Sequence, residues 1–228
     1  MTTTATTPAT STSGASARYV SGFQELTRAV QADGLMERRY GFYWTCFGAA
    51  TVALGSLVTG MVLLGDTWLQ LLLAAGLGVL MAQLGFLGHE ASHRQIFRSA
   101  RWNDWSGRVV SNLLVGLSYG WWMNKHTRHH ASPNFLGKDP DIVSGAVAFS
   151  AEAASDRSRI GAVLARRQGV YFLPLLALEG LSLHVSSVRH LLARRPVRHR
   201  AVELLFTGTR LVGYPVAVVL LLPQSNSQ

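Results

Sequence analysis

The sequence predicts an all-α integral membrane helical bundle, with cytosolic and in-plane helices that carry two clusters of histidines. Three observations predict that class. Only 14% of the 228 residues are charged and 48% are hydrophobic, whereas soluble domains average about a quarter charged. Residues 42–64 and 68–88 contain no charged side chain at all. The arginines are distributed unevenly around those two stretches.

Residues 1–17 are Thr, Ala, Ser, Pro and Gly after the first Met, without a charge. Such a composition buries too little apolar surface to fold, so a disordered tail is expected there. No basic segment leads into an early apolar run, so no cleavable signal is expected. Residues 18–228 then form the membrane domain, opening with an amphipathic lead-in that holds Arg18, Arg28, Arg38 and Arg39.

The stretches 42–64 and 68–88 each reach the ~20 residues that a helix needs to cross hydrocarbon. Gly65, Asp66 and Thr67 alone separate them, which predicts a tight transmembrane hairpin. Tyr40, Tyr43, Trp44 and Trp68 suit the interfacial aromatic belt. Arginines flank the hairpin's open ends, with Arg94, Arg98, Arg101 and Arg108 after it, and its turn has none. Both ends are therefore expected in the cytosol.

Residues 109–123 are apolar but too short for a comfortable span. A polar stretch follows, roughly 131–168. Of two later apolar stretches, 169–188 is expected to lie in the cytosolic interface and 201–222 to cross outward. The reason is the arginine group Arg189, Arg194, Arg195, Arg198 and Arg200, which two successive spans would carry to the outer face. Three spans result, and Arg210 must snorkel or face protein.

The net charge of +9 raises a nucleic-acid partner, but arginines beside apolar spans serve topology and anionic lipid. No nucleic-acid partner is expected. Cys46 is the only cysteine, so no intrachain disulfide can form.

Five of the eight histidines occupy two short windows. His89 and His93 stand at i and i+4, and His126, His129 and His130 at i, i+3 and i+4, so each window presents its imidazoles on one helical face. The topology brings both windows to the same membrane face. Imidazole suits iron, zinc and copper. His89-Glu90-x-x-His93 also matches the zinc-peptidase pattern, with Glu90 as general base. A catalytic zinc, however, takes about three protein ligands, and five imidazoles suit two metals.

At these windows the sequence resembles the membrane fatty-acid desaturase family. The likeness runs through G-H-E-A-S-H-R-Q-I-F (88–97), W-N-D (102–104), G-W-W-M-N-K-H-T-R-H-H-A-S-P-N (120–134) and D-P-D-I (139–142). It extends weakly into L-E-G-L-S-L-H-V (178–185) and covers roughly residues 38–222, closest to actinobacterial acyl desaturases. Members more often have Asp at Glu90 and Gly at Ser92. The resemblance implies a centre of two iron ions ligated by His89, His93, His126, His129 and His130. It implies O₂ and an electron donor of ferredoxin or flavin-reductase type. It also implies an acyl-lipid or acyl-CoA substrate that gains a double bond.

Asn124, Trp121 and Trp122 are read as interfacial packing or as pocket walls. Asp139 and Asp141 are candidate acceptors for ligand imidazoles, and His184 is a candidate extra ligand. His190 and His199 are expected to face solvent or lipid phosphate. The family's third box, H/Q-x-x-H-H, has no match after His130. Truncation is therefore expected, and with it loss of activity in this chain alone. The alternatives are another histidine-box oxygenase such as a hydroxylase, a non-catalytic remnant, and the membrane zinc peptidase.

Overall fold

The computed structural model describes residues 12–142 and 147–221. Those residues form helices and connecting turns, with no strand among them.

The N-terminal unit holds α1 (Thr12–Ala32). Residues 1–11 of the tail expected to be disordered lie outside the described residues, whereas 12–17 form the first turns of α1. Adding residues to an existing helix needs no new nucleus. Gly34, at φ 70°, then closes the helix, in the left-handed conformation that glycine adopts without strain.

The second unit begins with the hairpin of α2 (Tyr40–Leu64) and α3 (Gln70–Ser92). Gln70 Nε2 donates to the carbonyls of Met61 (2.8 Å) and Gly65 (2.7 Å). It thereby satisfies backbone oxygens left open at the end of α2. Trp68 precedes α3 rather than starting it, and α3 runs on through His89 to Ser92. Leu80, Leu84 and Leu87 of α3 pack with Val110 as the core, while α2 buries no residue. An apolar helix that stays uncovered suits lipid contact.

The short stretch 109–123 does not cross. Helix α4 (Ala100–Arg108) continues as a π-helical segment, Val109–Val115, which inserts beside α3. The chain reverses at Gly116, φ 94°, and α5 (Tyr119–Ala131) returns. Such a reversal leaves carbonyls open among apolar helices, which other protein groups must meet. Arg210 Nε donates to Leu114 O (2.8 Å), and His184 Nε2 lies 3.2 Å from Val115 O. A Cβ at Gly116 would stand 3.1 Å from Arg210 Cγ and 3.2 Å from His184 Nε2, so this reversal requires glycine twice over.

After short helices α6 (Ala151–Ser155) and α7 (Arg159–Arg166) come α8 (Gln168–Leu192) and α9 (Arg200–Gly208). A second π-helical segment (Thr209–Gly213) and α10 (Tyr214–Leu221) follow. Four helical stretches among the described residues are long and apolar enough to cross a membrane: Tyr40–Leu64, Gln70–Ser92, Gln168–Leu192 and Arg200–Leu220. The sequence reading had three, with 169–188 in the interface. The difference is α8, a single 25-residue helix that also takes in Arg189 and His190. Arg210 faces protein, with its guanidinium 4.2 Å over the Tyr214 ring.

Candidate metal centre

Both histidine windows occupy the last turns of their helices, α3 and α5, or the residue just beyond. There the helix macrodipole is negative and favours a cation. Ligand atoms of His89, His93, His126 and His130 all lie within 4.8 Å of one another. Two imidazole nitrogens on one ion, each at about 2.1 Å, stand at most about 4.2 Å apart. The four rings are thus within a few tenths of an ångström of a ligand shell. His93 Nε2 and His126 Nε2 approach to 2.9 Å, close to the separation of about 3.0 Å for adjacent ligands on one ion. This donor set fits a transition metal.

His126 is buried and the other three are more open. Burial, reinforced by His130, His89, His93 and His129, pushes the His126 imidazole down to about 4. Burial and then His89 and His130 lower His93 as well, against Glu90. Both rings therefore keep a lone pair at neutral pH. Between the ordinary value near 6.5 and about 4, the unfolded chain binds protons that folded His126 refuses. Stability then rises with pH across that window. Thermal melts of the metal-stripped chain are expected to fall as pH drops from 7 to 5, and a flat profile would contradict the burial of these rings.

His129 stands beside the four-ring set, its ring 5.6 Å from that of His130. Its Nδ1 lies 2.9 and 3.0 Å from the two oxygens of Asp139, and 3.1 Å from Asp141 Oδ2. Asp139 is fully buried. Burial alone would raise its carboxyl. Backbone N–H donors from Asp141 and Asn134, with His129, more than offset that and hold it at about 2. An ionised Asp139 keeps the proton on His129 Nδ1 and leaves the Nε2 lone pair free, as carboxylate–histidine pairs do at metal sites. Asp141 also pairs with Lys125.

Trp122 stacks on His126 at 4.7 Å and donates from Nε1 to Ser92 Oγ at 3.0 Å, so it joins the two windows. Trp121 and Asn124 line separate cavities on either side of α5. Glu90 accepts from the Tyr43 hydroxyl at 3.0 Å. It closes one end of an apolar cavity of about 630 Å³ between α2 and α3.

The structure does not bring His184 to the cluster, because its two nitrogens meet the Gly180 and Val115 carbonyls. His190, expected at the surface, is buried, and the Arg195 guanidinium meets its Nδ1. His199 packs its ring 5.6 Å from Trp105.

Two buried residues escaped the sequence reading. Asn103, wholly buried, accepts from the Ile96 and Phe97 N–H groups and donates to the Phe97 and Ser99 carbonyls. It thereby pins the loop after the first window. Glu203, also wholly buried, binds the start of α5. The signal was present, since Glu203 is the one acidic residue in the apolar stretch 201–222, and ionisable groups in such stretches have functions.

Fold and site together define a helical protein of membrane-spanning build, organised around a histidine cluster at the helix ends. Residues 66–224 match the fatty acid desaturase family model, and the chain belongs to that family, whose members are membrane oxidoreductases. It is 25% identical over 212 residues to a Delta(8)-fatty-acid desaturase of Helianthus annuus, covering 86% of this chain and 45% of that protein. It is 30% identical over 189 residues to an acyl-lipid (9-3)-desaturase of Borago officinalis, covering 78% and 42%. It is 34% identical over 139 residues to fatty acid desaturase 3 of Bos taurus, covering 60% and 31%. The chain thus spans less than half the length of these relatives. No solved structure matches it significantly.

Proposed function

We propose that this chain carries the two-box part of a membrane di-iron acyl desaturase. The observation that carries the reading is the convergence of His89, His93, His126 and His130 from two helix ends. The five imidazoles, with His129 oriented by Asp139, would hold two iron ions. Bound iron supplies the O₂ chemistry that an unactivated methylene requires. The balance is fixed: two hydrogens leave adjacent methylenes, and O₂ takes two electrons from those C–H bonds and two from the external donor. With two protons from solvent it leaves as two waters. The donor is of ferredoxin or flavin-reductase type, and the substrate an acyl-lipid or acyl-CoA.

The chain's own residues prepare that step. Trp122 and Asp139 fix the planes of His126 and His129. The apolar cavity between α2 and α3 gives an acyl chain a water-poor path from lipid to Glu90, the neighbour of His89. In the peptidase reading Glu90 would be the base, but the Tyr43 hydroxyl occupies one of its oxygens while the other lies 3.9 Å from His89 Nδ1. Purified protein is expected to hold iron, up to two per chain by elemental analysis. Zinc at one per chain, with peptide cleavage lost in Glu90→Gln, would overturn the proposal.

The histidine boxes face the cytosol in this reading, and α8 lies in the interface. No helix of spanning length separates α5 from α8 among the described residues. The entrance to α8 therefore stays on the side where α5 ends. Its exit is drawn back to that side, since His190, Val197 and Arg198 line one cavity with Arg94, just past the first window, and Asn124, beside the second. From Glu203 beside Ser118, α9 and α10 run toward Met61 and Gln70 at the hairpin turn, which supports an outward crossing. A reporter fused after Arg200 is expected to read cytosolic, and one near residue 66 to read external. External signals from both would refute the in-plane placement.

A further inference from the structure

Glu203 lies far along the chain from both histidine windows, yet it meets the N-terminus of the helix that carries the second. Its side chain is completely buried. It accepts from Ser118 Oγ at 2.6 Å, from Gly120 N at 3.2 Å to both oxygens, and from Asn112 Nδ2 at 3.5 Å. Arg108 Nε stands 3.4 Å away, also buried. Gly120 permits this approach, since a Cβ there would lie 3.2 Å from Glu203 Oε1.

The first N–H groups of α5 have no intrahelical partners. Asn112 Oδ1 accepts from Tyr119 N (3.1 Å), Glu203 from Gly120 N, and Ser118 Oγ from Trp121 N (3.0 Å). Glu203 in turn receives the hydrogen bonds of both Ser118 and Asn112. The acceptors at the start of α5 therefore share one buried anchor, and that anchor comes from α9. A carboxylate there also complements the positive end of the α5 dipole.

We infer that Glu203 is a positioning residue: it sets the height and rotation of α5, and through them the imidazoles of His126, His129 and His130. His126 lies six residues beyond Gly120, about 9 Å along a stiff helix. A one-residue slip would turn those rings by about 100° and move them about 1.5 Å. Metal ligands tolerate only about 0.5 Å. The inference rests on the reading of the histidine cluster as a metal site.

The test is titration of the full 228-residue chain in detergent with Co(II), read by its ligand-field absorption. Glu203→Ala is expected to weaken Co(II) binding by about 10-fold, the low end of the cost of losing a ligand's own outer partner, because it acts through the helix, and to shift the bands. Glu203→Gln, which still accepts hydrogen bonds, should recover part of both. Leu191→Ala removes a buried side chain of α8 that makes none of these hydrogen bonds. It should lower the melting temperature while leaving the bands in place. If Glu203→Ala does not fold, Ser118→Ala carries the test, with a smaller shift in the same direction. Unchanged spectrum and affinity in the Glu203 and Ser118 variants, or an equal change in Leu191→Ala, would overturn the inference and leave the metal site standing. A wild-type chain that binds no Co(II) would overturn both.

Discussion

His126→Ala is expected to abolish metal binding at the cluster. His126 is the most buried of the four converging rings, lies 2.9 Å from His93 Nε2 and stacks on Trp122. Its removal takes away one imidazole and the surface against which Trp122 holds the first window. The loss should exceed the roughly 10- to 100-fold that follows removal of an outer partner. Asp139→Asn provides that smaller reference, since an amide still hydrogen-bonds His129 but no longer enforces its tautomer by charge. His184→Ala and His199→Ala, whose rings lie outside the cluster, should leave bound iron unchanged. Elemental analysis of the purified variants decides the matter. Iron retained in His126→Ala, or lost equally in His199→Ala, would sink the assignment.

The 228 residues expressed alone are expected not to desaturate lipids, even with a competent electron donor. In the proposed di-iron reading, five imidazoles shared by two irons would leave several coordination positions to water, with weak binding and poor control of the oxidant. A segment bearing one further span and an H/Q-x-x-H-H box, appended from a related desaturase, should supply further ligands. New double bonds are then expected in the extended protein and not in the chain by itself, as read by fatty-acid profiling. A hydroxylated product in place of an alkene would identify the other histidine-box chemistry. Clear unsaturation from the unextended chain would refute the ligand-deficit argument.

Much of the helical architecture and the cluster itself were legible in the residues. Uninterrupted apolar length marks α2 and α3 because lipid offers no partners for an open backbone. The i, i+3 and i+4 spacing puts each set of imidazoles on one face of its helix. Apolar length is a weaker guide where a helix can lie along the interface, and the same property marks α8 as a candidate span. The stretch 109–123 likewise showed only that it was too short to cross, not that it would dip inward and reverse at Gly116.

The sequence by itself determined the all-α class, the hairpin of α2 and α3, and the two histidine windows, of whose five imidazoles those of His89, His93, His126 and His130 converge. Those features follow from composition and from periodicities along a single helix. Only the tertiary structure decided that His129 turns to Asp139, that His184 serves the Val115 carbonyl, and that Glu203 anchors α5. These depend on contacts between residues distant in sequence, such as Ser118 with Glu203, and local periodicity carries no information about them. Burial is the physical reason they matter. A carboxylate or carbonyl removed from water must find its partner wherever the fold brings one.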